Sequence, residues 1–216
     1  MLSIQCGLPR EVAWHGQTVT TSIFKQPVHG RIALRTLNLD GDRQSDLTVH
    51  GGRHKAVYCY PTEHYAYWAA EMPGRTLENG AFGENFTTEG LLEDSVHIGD
   101  RFAVGSAEVI VSQPRMPCYK LGIKFESGDM VRRFLASGRS GFYLAVAREG
   151  EVAASDDFRL VDREPQAVSV SEITHLYLAE EYDADDIDRV RRALTLNALP
   201  ASWKVYLEEK VSRQEA

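Results

Sequence analysis

The stretch Gln113-Pro114-Arg115-Met116-Pro117-Cys118-Tyr119-Lys120-Leu121 governs how the rest of the chain is read. It follows a β-branched run, Ala107-Glu108-Val109-Ile110-Val111, which reads as a strand. Two prolines restrict the backbone around the cysteine and remove two amide donors, which argues against an inner strand or a helix interior. Arg115 and Lys120 bracket Cys118. Nearby positive charge favours the thiolate, the form of cysteine that attacks an electrophile or binds a metal. A fixed backbone, a soft sulfur ligand and flanking cations suit a metal carried by an anionic cofactor. On residue types alone, a partly buried thiol in a Pro-rich turn reads equally well.

Outward from this stretch the chain is rich in short strands up to about Arg163. Thr20-Thr21-Ser22-Ile23-Phe24, Arg31-Ile32-Ala33-Leu34, Val57-Tyr58-Cys59-Tyr60 and Gly141-Phe142-Tyr143-Leu144-Ala145-Val146 have the composition of strands. Asp40-Gly41-Asp42, Gly99-Asp100 and Arg148-Glu149-Gly150-Glu151 punctuate them, the last with the look of a hairpin. This spacing predicts a barrel or sandwich. Two helices are expected among the strands. One starts at Pro61 and runs to Glu71 with Tyr65, Trp68 and Ala69 at helical spacing, and the other covers Asp129 to Leu135. After Pro165 the pattern becomes helical. Ser169 and Glu172 have capping-box spacing, a second helix opens at Asp183 with Ile187, Val190 and Leu194 on one face, and a third follows Pro200 with Trp203, Leu207 and Val211. The expected division is residues 1–165, mainly β with helices, and residues 166–216, a small three-helix bundle. So small a bundle is marginal by itself and should dock on the first domain or on a partner.

Composition narrows the function. The 216 residues, 43% hydrophobic and 25% charged, suffice for a sizeable core. A net charge of −7 argues against general nucleic-acid affinity. The longest apolar run, Phe142 to Ala147, is too short for a bilayer, and the N-terminus lacks the pattern of a signal peptide, so a cytoplasmic location is expected. Three cysteines, Cys6, Cys59 and Cys118, without a CxxC pair, read as free thiols. No GxGxxG, GxxxxGK[ST] or HExxH occurs.

Further stretches carry candidate chemistry. In Val49-His50-Gly51-Gly52-Arg53-His54-Lys55 the glycine pair allows close backbone approach to a ligand, and the loop amides could cradle a phosphate. A surface turn before a strand is the plainer reading. In Phe82-Gly83-Glu84-Asn85 the asparagine could bond a heterocycle or simply satisfy loop amides. Lys25, after a strand, could reach a phosphate, although exposure is the default for a lysine.

In their order along the chain, Leu39-Asp40-Gly41-Asp42, VHGG at 49–52, Tyr60-Pro61 with His64-Tyr65, FGEN at 82–85, Ile98-Gly99-Asp100 and QPRMPCYKL resemble the MOSC-domain family, in its YiiM-like subfamily. The resemblance covers nearly the whole chain, including the three-helix extension. It implies a MOSC-type β-barrel core, with an α+β class overall, that carries the molybdenum cofactor (Mo-molybdopterin). It also implies Cys118 as the protein's sulfur ligand to molybdenum. Lys25, His50, Gly51, Gly52, Lys55, Asn85, Arg115 and Lys120 are the candidates to hold the cofactor, and His50 is a candidate proton-transfer group because an imidazole titrates near pH 7. The activity implied is a molybdenum-dependent oxidoreductase reaction, the reduction of N-hydroxylated compounds such as N-hydroxylated purines. Without a dinucleotide fingerprint, electrons should come from a separate reductase. The extension would then dock that reductase or a second copy of the chain as a homodimer, or else stabilise the barrel. The other reading of the same features is a non-catalytic carrier of the cofactor or of sulfur.

Overall fold

A computed structural model describes residues 1–48 and 50–214. In chain order it contains β1 (Ser3–Cys6), β2 (Arg10–Trp14), β3 (Gln17–Thr21), β4 (Gln26–Pro27), β5 (Ile32–Leu34), β6 (Val57–Pro61), α1 (Glu63–Glu71), β7 (Phe86–Thr88), β8 (Arg101–Val104) and β9 (Ala107–Pro114). There follow α2 (Tyr119–Phe125), α3 (Met130–Ala136), β10 (Phe142–Arg148), β11 (Gly150–Val152), β12 (Arg159–Asp162), α4 (Val170–Leu178), α5 (Ala184–Thr195) and α6 (Ala201–Gln214). The class is α+β, as the strand-then-helix pattern and the family resemblance imply. Eight strands form one sheet in the order β12-β8-β9-β10-β6-β7-β1-β4, and among the described residues its ends do not join. The expected barrel is therefore an open sheet, with two-stranded pieces β2–β3 and β5–β11 beside it.

The central strands are buried on both faces. All five residues of β6 are buried, and they alternate: Val57 and Cys59 enter the larger core, Tyr58 and Tyr60 the smaller. The side-chain period of a strand is two, so one short sequence serves two layers. The smaller core lies between the sheet and α1–α3 and is aromatic, with Trp68 stacked on Phe134 at 5.9 Å and Phe82 at 4.5 Å from Tyr60. The Trp68 indole N–H donates to the Tyr60 hydroxyl at 2.7 Å, which satisfies both buried polar groups. Each such ring contributes roughly 1.5–3 kcal/mol by burial. The larger core runs without a break from the sheet into the C-terminal helices, where Ile173, Leu176, Val190 and Leu207 are part of it. The bundle thus docks on the sheet.

The capping signals hold at atomic level. Ser169 Oγ accepts from the Glu172 amide at 3.0 Å and the Glu172 carboxylate accepts from the Ser169 amide at 2.7 Å, while Asp183 Oδ1 accepts from the Asp186 amide at 2.8 Å. Several local expectations need correction. Pro61 ends β6 instead of opening α1. The run from Thr20 stops being a strand after Thr21. β9 continues through Gln113 and Pro114 between β8 and β10. Proline is tolerated at its last position because the next ladder bond is made by the Arg115 amide, which donates to the Gly141 carbonyl at 3.2 Å. The expected hairpin at 148–151 does not form. β10 already has β9 on one side and β6 on the other, so β11 turns away and pairs with β5. Gly141 permits the close approach at this crossing, since its φ is +62° and an added Cβ would lie 2.4 Å from the Cys59 carbonyl oxygen.

Candidate functional site

Sheet and loops leave a solvent-open cleft of about 660 Å3 beyond the end of β9. The route to it is short in sequence. β9 ends at Pro114, Arg115 to Pro117 form an irregular link, and Cys118, its backbone extended, sits at the first position before α2. Pro117, with no amide to donate, lies within this link, and Pro114 is the last residue of the strand before it. The sequence does not predict the helix that starts at Tyr119, because its apolar residues Leu121, Ile123 and Phe125 recur at every second position over only seven residues, which is the spacing of a strand.

Lys25, His50, Lys55, Asn85, Arg115, Cys118 and Lys120 all line this one cleft, though they come from distant parts of the chain. The half-buried Cys118 has its Sγ 3.5 Å from His50 Nε2. The His50 amide donates to the Asp46 carbonyl at 2.9 Å, which fixes the loop presenting the ring. Val49 of the VHGG motif lies outside the described residues. Gly51 packs its α-carbon against Leu47, so that a Cβ would lie 2.9 Å from Leu47 Cδ2, and Gly52 has φ +92° and opens a 3-10 turn, Arg53–Lys55. Both glycines therefore act on the cleft through loop shape.

The cleft is cationic. Burial, followed by the positive charges of Lys120, Lys55 and Arg115, holds the His50 pKa below its ordinary 6.5, so the imidazole is neutral at pH 7. Burial also lowers the Lys55 ammonium from its usual value. Lys120 Nζ donates to Ser45 Oγ at 2.9 Å. Arg115 is buried between the rings of Tyr58 and Phe134, at 5.1 and 4.9 Å, and its Nη1 has no hydrogen-bond partner among the described residues. The buried Ser22 Oγ in the same wall is also unpartnered. Two unsatisfied buried polar groups facing a cationic cleft are what an oxyanion-rich ligand would satisfy.

Asp42, which the sequence offered only as a turn residue, organises one side. Its carboxylate accepts from Lys25 Nζ at 2.5 Å, the Gly7 amide at 2.7 Å and Asn85 Nδ2 at 2.9 Å. Asn85 also donates to the Gln5 carbonyl and accepts from the Tyr58 amide, both at 3.1 Å, so it ties β1 to β6 while lining the cleft. Its neighbour Glu84 is fully buried and accepts from Gly80, Phe82, Thr87 and Tyr65, which locks the FGEN loop. Tyr143 and Met116 complete the wall; Tyr143 is one residue of an apolar strand, and Met116 stands in the proline-flanked run beside the more conspicuous Arg115 and Cys118. Among the described residues no three His, Cys, Asp or Glu side chains converge to hold a metal ion unaided. No helix among them is long and apolar enough to cross a membrane.

Comparison with known proteins agrees with this architecture. The MOSC domain model matches residues 46–159, and the YiiM-like 3-alpha helix domain model matches residues 168–214. The YflK protein of Bacillus subtilis is 39% identical over 213 residues, covering 99% of this chain and 95% of that protein. The crystal structure of YiiM from Geobacillus stearothermophilus superposes with a TM-score of 0.80 at 35% identity, over 97% of each chain. A Gibberella moniliformis protein named reductase is 31% identical over 166 residues, 76% of this chain but 29% of that longer protein. The chain belongs to the MOSC-domain family and, with its three-helix C-terminal domain, to the YiiM-like members of it.

Proposed function

We propose that this chain is a molybdenum cofactor-dependent oxidoreductase that reduces N-hydroxylated compounds, N-hydroxylated purines among them. The observation that carries it is a thiol 3.5 Å from an imidazole in a cleft walled by lysines and by an arginine with an unsatisfied Nη1. MOSC domains are associated with molybdenum cofactor binding, and the relative named reductase supports redox chemistry. The residues fit such a group. Cys118 supplies one soft ligand, and with no further protein donors converging among the described residues, the metal would have to bring the rest with its cofactor. Arg115, Lys120, Lys55 and Lys25 would neutralise its phosphate, with Ser22 Oγ available to donate.

When bound, the cofactor supplies the two-electron couple for converting R–NHOH, two electrons and two protons into R–NH2 and water. Cys118 anchors and does not attack the substrate. His50, neutral because it is buried among cations, holds or moves a proton at Nε2 beside the sulfur. Electrons come from a separate reductase, since the sequence carries no dinucleotide fingerprint.

The test is elemental and pterin analysis of the wild-type chain beside Cys118→Ser, expressed in cells that make the cofactor, followed by an amine-formation assay with an artificial electron donor. Molybdenum and turnover in the wild type, with both lost in Cys118→Ser, support the assignment. Loaded protein without turnover would make the chain a carrier, and zinc without pterin would refute the assignment.

A further inference from the structure

Cys118 lines two adjoining cavities, and they differ in character. One is the cationic cleft. The other is a space of about 530 Å3, open solvent included, that shares His50, Lys55, Met116, Cys118 and Tyr143 with it but is otherwise walled by Gln113, Pro114, Pro117 and Trp203. Lys25, Arg115 and Lys120 line the first and not the second. An anionic cofactor belongs on the cationic side, so the second space is the approach left for substrate.

Its outer wall is supplied by the C-terminal extension. Trp203, on α6, reaches back ninety positions to donate its indole N–H to Gln113 Oε1 at 2.6 Å, and Gln113 is on β9, five residues before Cys118. That bond satisfies the only polar atom of the ring and fixes it against the sheet, leaving apolar surface to the cavity. Tyr177 backs the indole at 5.6 Å and stacks on Tyr206 at 5.1 Å. An outward groove of about 430 Å3 bounded by Met116, Trp203 and the two tyrosines continues the wall to the surface.

We infer that the extension completes the substrate site: Trp203 with Met116 forms the wall that receives the planar ring of a heteroaromatic N-hydroxylated substrate and selects it over aliphatic ones. This rests on the function proposed above for the identity of the reaction, but the binding it predicts is separate from turnover. Trp203 is a specificity-determining residue with no part in the proton or electron steps.

The experiment is a fluorescence-anisotropy titration of 2-aminopurine with the full-length, cofactor-loaded chain. Trp203→Leu should weaken binding about tenfold, the effect of losing one aromatic contact with its buried area. Trp203→Phe should retain most of it, and inorganic phosphate, which competes for the cationic cleft, should not displace the purine. In turnover, Trp203→Leu should raise KM for an N-hydroxylated purine while leaving kcat, and the KM of N-hydroxyurea, unchanged. Should Trp203→Leu fail the circular-dichroism comparison with wild type, Met116→Ala probes the same wall from β9's side and should also weaken 2-aminopurine binding. Absence of saturable wild-type binding, equal binding by the folded variant, or displacement by phosphate would overturn the inference. Loss of turnover on both substrates in the wild type would sink the proposed reaction alone, because the anisotropy comparison still decides the wall.

Discussion

Replacing Asp42 by asparagine tests how far the cleft depends on one buried carboxylate. The Asp42 side chain is 1% exposed and that of Lys25 9%, at a separation of 2.5 Å. The same carboxylate also receives the Gly7 amide and Asn85 Nδ2. Asparagine has nearly the same shape, so the backbone contact to Gly7 survives in one amide orientation. It leaves the lysine without its counter-charge and sets two amide groups, each with donors to place, against one another. Removing one partner of a buried ion pair costs roughly 3–5 kcal/mol. Lys25 also lines the open cleft, where water can reach it, so the low end applies, about 3 kcal/mol. For a chain of this size that corresponds to a Tm lower by about 6–12 °C. Urea titration gives the free energy, and an unchanged m-value would show that the unfolded state is not the cause. Lys25→Met combined with Asp42→Asn should recover part of the loss, with a coupling of at least about 1 kcal/mol. A single-variant cost below about 1 kcal/mol together with an additive cycle would refute the assignment of this pair as the brace of the cleft.

Three other outcomes are expected. Arg115→Met should change the stability of the cofactor-free chain little, because a buried cation with no carboxylate partner among the described residues is removed together with its ring contacts and its bond to the Phe82 carbonyl, yet lower the molybdenum content at least about tenfold, the loss of a charge-assisted anion contact. Thermal melts and metal analysis on the same preparation read the two effects. The folded His50 pKa lies below its ordinary 6.5, so the unfolded chain binds more protons in that interval. Stability is then fully present above pH 6.5 and falls as pH drops toward the folded value, and chemical denaturation between pH 5 and 7 should show a shallower slope in His50→Gln. Ser169→Ala removes the N-cap of α4 and should cost about 1 kcal/mol, seen as a Tm lower by roughly 2–4 °C.

Much of the site was legible because its chemistry is concentrated in short runs. The proline-flanked Cys118, the cations beside it and the histidine of the glycine loop need no long-range information to stand out, and the order of the motifs along the chain implied the fold that joins them. The three terminal helices were readable from capping residues and apolar spacing, since both signals are local. What could not be read depended on partners far away in sequence. Asp42 looks like any turn aspartate until Lys25 and Asn85 are placed around it. Glu84 looks exposed until four donors enclose it. Trp203 reads as one more apolar position on an amphipathic helix, and only its bond to Gln113 brings it into the wall of the cavity that Cys118 also lines. The failed hairpin has the same origin, because pairing choice at β10 was settled by β6, about 85 residues earlier in the chain.

Because the eight-stranded sheet stays open, it has two borders, and both discourage recruitment of a foreign strand. One border is β4, two residues long, where Pro27 has no amide to offer. The other is β12, four exposed residues in which Leu160 and Val161 are flanked by the charges of Arg159 and Asp162. A neighbouring chain laid alongside would have to accommodate those charges and twist past the register shift between Leu160 and Asp162. Crowded solutions of this protein should therefore resist fibril growth by edge addition, even though the interior strands, taken as peptides, are as β-prone as any.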